Sequence, residues 1–164
     1  YGEASNAKGV NGDQSDNSAR SSGAAYVFVR SALCRASSTS VGTGCIASGT
    51  APSLFVDPPV HGNWSRLDVG SMLPNTAGGI LLGIPHKGIP LSATCTAYFD
   101  ITRSTVPVFF STNALGNWRS PRIAISRDPS LTCVKIALQA ALENPFTAPL
   151  GLALSNGVWV KVGY

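Results

Sequence analysis

The side chains in this 164-residue chain that could do redox, metal or acid–base chemistry are few: four cysteines, two histidines and eight carboxylates. Cys34, Cys45, Cys95 and Cys133 show no C-x-x-C spacing, and His61 and His86 alone could join them around a metal. Disulfides in an exported protein are therefore expected over structural zinc. Four cysteines allow three connectivities, and spacing does not choose among them. A bridge from Cys34 to a second copy of the chain is a further option. In VDPPVHGNW, Asp57 and His61 stand four apart and Ser65 could complete a nucleophilic triad, but Pro58-Pro59 stiffens the segment and favours an ordinary surface turn. His86, in IPHKG, reads as a solvated turn residue. Sugar hydrolysis needs two carboxylates flanking one bond, whereas Asp57, Asp68, Asp100, Asp128 and Glu143 are scattered singly, and Asp128 before Pro129 fits a turn former. No G-x-S-x-G, H-E-x-x-H, P-loop or dinucleotide fingerprint occurs. The expectation is a protein that is not an enzyme and has no obligatory cofactor.

Aromatic recognition is the stronger chemical signal. Gly-Asn-Trp occurs twice, at Gly62-Asn63-Trp64 and Gly116-Asn117-Trp118. An exposed Trp can stack on a sugar ring while Asn bonds its hydroxyls, which makes Asn63, Trp64, Asn117 and Trp118 candidate glycan contacts. The plainer reading is favoured: Gly-Asn makes a turn and Trp anchors the next strand against the core. Asn63-Trp64-Ser65 is also a glycosylation sequon.

These residues must be held by a β framework. Seventeen Gly and eleven Pro, 44% hydrophobic and 12% charged residues favour strands and turns in one domain with at most a short appendage. The net charge of +4 reflects few carboxylates, and with no Lys/Arg-rich run no nucleic-acid partner is expected. No apolar run approaches the ~20 residues of a membrane-spanning helix, so no membrane span is expected. The start at Tyr1, without Met, reads as a processed segment of a longer protein. Short β-rich runs cover 25–30, 53–56, 65–69, 79–84, 95–101, 106–112, 122–126, 132–142, 151–155 and 158–162. Alternating apolar residues recur in Ile80/Leu82/Ile84, Val106/Val108/Phe110, Val134/Ile136/Leu138 and Val158/Val160/Val162. Trp159, out of phase with the last set, should lie on the opposite sheet face, beneath another layer or against a neighbour. Asn156-Gly157 between two apolar runs predicts a hairpin turn. The segment 135–144 has helix formers, but its flanks favour a strand. The predicted fold class is all-β: an antiparallel β-sandwich, jelly-roll or immunoglobulin-like, over residues 34–164. A polar N-terminal arm and connecting strand would occupy residues 1–33.

Two stretches resemble known families. YGEASNAKGVNGDQSDNSARSSGAAYVFVRS, residues 1–31, resembles a blade fragment of FG-GAP-type β-propeller repeats. From Gly42-Thr43-Gly44-Cys45 onward, GGILLG, Cys95, RDPSL and LALSNGVWVKVGY resemble an uncharacterised C-terminal β-sandwich module of large secreted bacterial proteins. That resemblance implies an extracellular or cell-surface location and a Cys45–Cys95 disulfide, leaving Cys34 and Cys133 to tie the arm to the body. FG-GAP loops bind calcium through a D-x-N-x-D-G-x-x-D plan. Gly9–Asn17 keeps Asn11 and Asp13, with Asp16 near the last ligand position, but Gly9, Gln14 and Asn17 replace the rest. A hydrogen-bonded polar loop is favoured over a calcium site.

The arm directs the functional expectation. Extended, residues 1–23 could span roughly 75 Å, beyond the ~40 Å diameter of the body. The strand Ala25-Tyr26-Val27-Phe28-Val29 could then add to a sheet edge of a neighbour. The leading expectation is a secreted structural subunit of an extracellular filament or surface assembly, a homopolymer joined by strand exchange. The runner-up is an adhesion or carbohydrate-binding module.

Overall fold

The computed structural model describes residues 34–103, 108–146 and 151–164. The described residues form strands β1 (Ser37–Val41), β2 (Ser53–Val56), β3 (Trp64–Ser65), β4 (Leu67–Gly70), β5 (Ala77–Gly83) and β6 (Pro85–Pro90). There follow β7 (Thr96–Phe99), β8 (Val108–Ser111), β9 (Asn117–Arg119), β10 (Ile123–Ala124), β11 (Lys135–Glu143) and β12 (Leu152–Lys161), with a 3₁₀ turn at Pro129–Leu131. The fold is all-β and sandwich-like, built of antiparallel sheets. A five-stranded sheet, in the order β1-β12-β11-β5-β8, lies at the centre. Three smaller sheets accompany it: β2-β4-β9, β6-β7 and β10-β3.

The central sheet is covered on both faces, and that explains its sequence. Leu138, Ala140 and Leu142 of β11 join Val158 and Val160 of β12, Ile80 of β5 and Phe110 of β8 against Leu54, Val56, Leu67 and Val69 of the β2-β4-β9 sheet. Residues of opposite parity turn to the other face, where Ala137 packs with Ala97, Phe99, Ile89 and Trp159 under the β6-β7 hairpin. Ala141 and Leu154 lie near the Cys45–Cys95 bridge. β11 is therefore buried from Ala137 to Leu142 without alternation, as a strand between two layers must be. Full burial of a side chain such as Ile80 contributes about 1.5–3 kcal/mol. Trp159 occupies the place its phase predicts, beneath a second layer, and its indole N–H donates to the Tyr98 carbonyl at 3.1 Å.

The predicted hairpin at Asn156-Gly157 does not exist. Both residues lie inside the single ten-residue strand β12, and neither has the positive φ that a type I′ turn requires. The register between β11 and β12 shifts there, from Gln139 opposite Gly157 to Ala141 opposite Leu154. Two residues, Ser155 and Asn156, thus oppose Ala140 in a β-bulge, which inverts the phase of the strand. Leu154 before the bulge packs on the β6-β7 side, whereas Val158 and Val160 after it face β2-β4-β9. The Ser155 hydroxyl accepts from the N–H of Ala140 at 2.9 Å and so fills the interrupted ladder.

Two side-chain amides, one buried and one half-buried, fasten the outer layers. Gln139, 1% exposed, accepts from the N–H of Tyr98 (3.1 Å) and donates to the carbonyls of Thr96 (3.0 Å) and Ser155 (2.8 Å). On the other face, Asn156 accepts from the N–H of Leu54 (2.9 Å) and donates to the Leu54 carbonyl (3.1 Å) and Ser40 Oγ (2.9 Å). Each side chain does for β7 or β2 what a neighbouring strand would do. Two disulfides, Cys34–Cys133 and Cys45–Cys95, complete the frame. Both lie within the chain, so Cys34 is not left for a second copy.

Three strands carry no strong signal in the sequence. β1 (SSTSV) is polar and forms a sheet edge, β6 (PHKGIP) pairs with β7 alone and has proline at both ends, and β9 has three residues. His86 consequently lies on β6 and not in a turn. The 65–69 run is divided, with Arg66 between β3 and β4, while 135–143 is a strand, as its flanks predict.

Candidate functional site

The alternation of β2, β4 and β9 sorts their residues into an inner apolar set and an outer polar set. Leu54, Val56, Leu67 and Val69 point into the core, so Ser53, Phe55, Asp68 and Gly70 point outward. Register aligns them in two rows: Ser53, Gly70 and Asn117 form one, Phe55, Asp68 and Arg119 the other. Together with Asn113 and Trp118 they line a depression of about 530 Å³. Phe55 is 59% exposed. Asp68 accepts from Arg119 Nε, with a second contact from Nη2 to Oδ2 at 3.3 Å. Hydrogen bonding to this carboxylate, reinforced by its charge, raises the pKa of the Arg119 guanidinium above the ordinary arginine value. Gly70 forms the low point: a Cβ there would lie 3.2 Å from Ser53 Oγ and 3.6 Å from Asn117 Oδ1. The loop before β9 is held by Asn113, whose Oδ1 accepts from the N–H groups of Leu115 and Asn117.

The two Gly-Asn-Trp motifs share a left-handed glycine but close different turns, the Asn63 N–H bonding to the Val60 carbonyl at 3.0 Å and the Gly116 N–H to the Asn113 carbonyl at 2.9 Å. Gly62 and Gly116 have φ of +74° and +77°, a left-handed conformation that glycine adopts without a Cβ clash. Each turn delivers its Trp to a strand, Trp64 to β3 and Trp118 to β9, in separate sheets. Trp64 is 59% exposed on the two-stranded β10-β3 ribbon. Trp118 stacks on Phe110 with ring centroids 4.5 Å apart and packs on the main core, while Asn117 reaches the outer depression. Asn63 and Trp64 are not among the residues lining that depression. Phe55, Gly70 and Arg119, which the sequence reading did not single out, are, as is Asp68, weighed there only as a scattered carboxylate. The available signal for Phe55, Asp68 and Gly70 was the polar phase of SLFV and LDVG.

The triad candidates have other partners. Ser65 Oγ donates to the backbone carbonyl of Asp57 at 2.9 Å. His61 Nδ1 donates to the Ser126 carbonyl at 2.7 Å, and its Nε2 lies 3.0 Å from the Thr132 hydroxyl. The His61 ring also packs against Tyr164 at 4.7 Å. Asp128 caps the 3₁₀ turn, accepting from the N–H of Ser130 at 2.9 Å, and that bond holds its pKa below the ordinary carboxylate value. Asp100 is likewise lowered, first by the hydrogen bond from the Thr102 hydroxyl and then by the Thr102 N–H. Among the described residues no three His, Cys, Asp or Glu side chains cluster as a metal site, and no helix is long and apolar enough to cross a membrane. The calcium candidates Asn11, Asp13 and Asp16 and the assembly strand Ala25, Tyr26, Val27, Phe28 and Val29 lie outside the described residues.

The second notable surface is an edge. Among the described residues, β8 pairs with β5 on one side and ends the central sheet on the other. Thr112 donates to the Thr76 carbonyl at 2.9 Å, so alternation turns the N–H groups of Phe109 and Ser111 away from β5. Phe109 is 81% and Val108 47% exposed. Comparison with known families, curated proteins and solved structures finds no match for the chain.

Proposed function

We propose that the chain is a secreted, non-catalytic structural subunit of an extracellular filament or surface assembly, in which Ala25–Val29 of one copy adds a strand along β8 of the next. The observation that carries this reading is the β8 edge, with outward N–H groups beside an exposed phenylalanine and valine. Such an edge is a template for strand addition. Two intrachain disulfides support an oxidising compartment, as does the resemblance to a module of secreted proteins.

Chain length favours a neighbour over the same copy. Cys34 is fixed to Cys133 with Cα atoms 5.6 Å apart, near the start of β11. The register from Ala140 through Ile80 to Val108 places the nearest end of β8 roughly 23 Å further along the sheet and about 10 Å across it. The middle of β8 is farther still. Val27 and Phe28 are separated from Cys34 by seven and six residues, a reach of about 20–24 Å when fully extended. They fall short of the centre of their own β8, even without a detour around the covering layers. Capture by a second copy has no such limit, and a head-to-tail contact of this kind that does not close into a ring extends as a filament.

Negative-stain microscopy of the full chain at increasing concentration tests the reading. Fibres or ordered arrays are expected, and Phe109→Asp should abolish them while leaving the far-ultraviolet circular dichroism unchanged. A full chain that stays monomeric at high concentration refutes the proposal, as does a Phe109→Asp variant that assembles like the parent.

A further inference from the structure

We infer that the depression over β2, β4 and β9 is a binding site for a neutral pyranose sugar, an activity separate from assembly at β8. The argument rests on five side chains, one glycine and the rows they form. Phe55 supplies an exposed aromatic face, the surface on which the C–H side of a pyranose ring stacks. Beside it in the same row, Asp68 and Arg119 hold each other through the contacts of Arg119 Nε and Nη2 with the carboxylate oxygens. Their side chains remain 33% and 66% exposed, which leaves carboxylate lone pairs and guanidinium N–H groups directed at solvent. A vicinal diol fits that pair: one hydroxyl donates to Asp68 and its neighbour accepts from Arg119. In the adjacent row, Gly70 leaves a dip between Ser53 Oγ and Asn117 Oδ1, two further groups of the kind that bind hydroxyls. The space, about 530 Å³, falls within the ordinary range of small-molecule sites.

Charge decides among ligand classes. Among the described residues Arg119 is the only cationic one lining the depression, and Asp68 already pairs with it. A phosphate or sulfate would have to displace that carboxylate, whereas a neutral polyol bonds to both partners and leaves the pair intact. A peptide adding as a strand would need a sheet edge, yet Asp68 and Gly70 lie on β4, the middle strand of three.

The test is affinity electrophoresis of the full chain through gels containing a β-glucan, a galactomannan or a xylan, with dextran sulfate as the anionic probe. Retardation by at least one neutral polysaccharide is expected. Phe55→Ala and Arg119→Gln should each weaken it more than tenfold, at unchanged melting temperature because both residues are exposed. Trp64→Ala, on a different sheet, should leave it unchanged. Retardation by dextran sulfate alone, no retardation by any neutral polysaccharide, or full retention in Phe55→Ala would each overturn the inference.

Discussion

Gln139→Met is the substitution that most directly tests how the layers are joined. The native amide serves three backbone groups: the N–H of Tyr98, the carbonyl of Thr96 and the carbonyl of Ser155. Methionine fills a similar volume, so the cavity contribution is small and the loss isolates hydrogen bonding. Each backbone group left unpaired in the interior costs about 1–3 kcal/mol. Discounting the carbonyls, whose remaining lone pairs are more easily satisfied, gives a total of about 3–6 kcal/mol. That is a large part of the ~5–15 kcal/mol that holds a domain folded. At a urea dependence of ~2 kcal/mol per molar, the midpoint should fall by about 2 M. Gln139→Glu keeps the shape but sets an acceptor against two carbonyl oxygens, so the variant folds as the neutral acid. Its carboxyl pKa is then raised by folding, and its stability should increase as pH falls from 7 toward 4, on top of the parent's own pH dependence. Hydrogen exchange should show the Tyr98 amide protected in the parent and exchanging faster in both variants. A methionine variant within about 1 kcal/mol of the parent would refute the reasoning. So would Met and Glu variants of equal stability at pH 7, because simple packing would make them alike.

Thiol labelling of the denatured, unreduced protein should find no free cysteine, and peptide mapping should give Cys34–Cys133 and Cys45–Cys95; the longer loop, closed across 99 residues, should lose about 4 kcal/mol when opened. For Asp128, the folded-state pKa is lowered by the Ser130 N–H, so its contribution is complete above the unfolded value near ~4 and fades as pH drops through the lower folded value. Asp128→Asn keeps the cap and removes the titration, and a comparison of acid unfolding curves for the two proteins should show a shallower fall in the variant. Deleting residues 1–31 while keeping Cys34 should leave a β-rich monomer with a cooperative thermal transition that no longer assembles. Polymerisation equal to the full chain would move the connector to the described surface.

Where one residue type answers to one environment, the fold was legible. The apolar alternation of Ile80/Leu82/Ile84 and Val158/Val160/Val162 located the main core through Ile80, Leu82, Val158 and Val160, although Ile84 is 50% exposed, and the phase of Trp159 located a second layer behind it. The Asn156-Gly157 dipeptide misled because its local preference is for a turn, while tertiary contacts on both sides stabilise an extended strand. Asn156 is held by Leu54 and Ser40, and Gly157 lies so close under Tyr98 that a Cβ would approach its Cβ to 2.5 Å. Both constraints come from residues more than fifty positions away, beyond the range of any local pattern. The depression was illegible for a related reason. Its rows join residues 53–55, 68–70 and 117–119, and the register of three strands, not spacing along the chain, makes Phe55 a neighbour of Asp68 and Arg119.

The same logic separates what the two Gly-Asn-Trp motifs can do. In each motif a left-handed glycine leads the tryptophan into a strand, but the direction of its ring depends on what lies behind that strand. Behind β9 is the main core, so Trp118 stacks on Phe110 and is half-buried, while Asn117 is exposed. Trp64 is on a two-stranded ribbon, and its ring remains exposed. Aromatic recognition on the outer face therefore passes from Trp118 to Phe55, two strands away across β4. The repeated motif supplies its asparagine to that face in one copy and its tryptophan to the core in the same copy. Substituting Trp118 should consequently cost stability before it affects any ligand, whereas substituting Phe55 should do the reverse. Measuring melting temperature and polysaccharide retention on the same two alanine variants would distinguish these roles, and equal loss of both properties in both variants would show that face and core are not divided in this way.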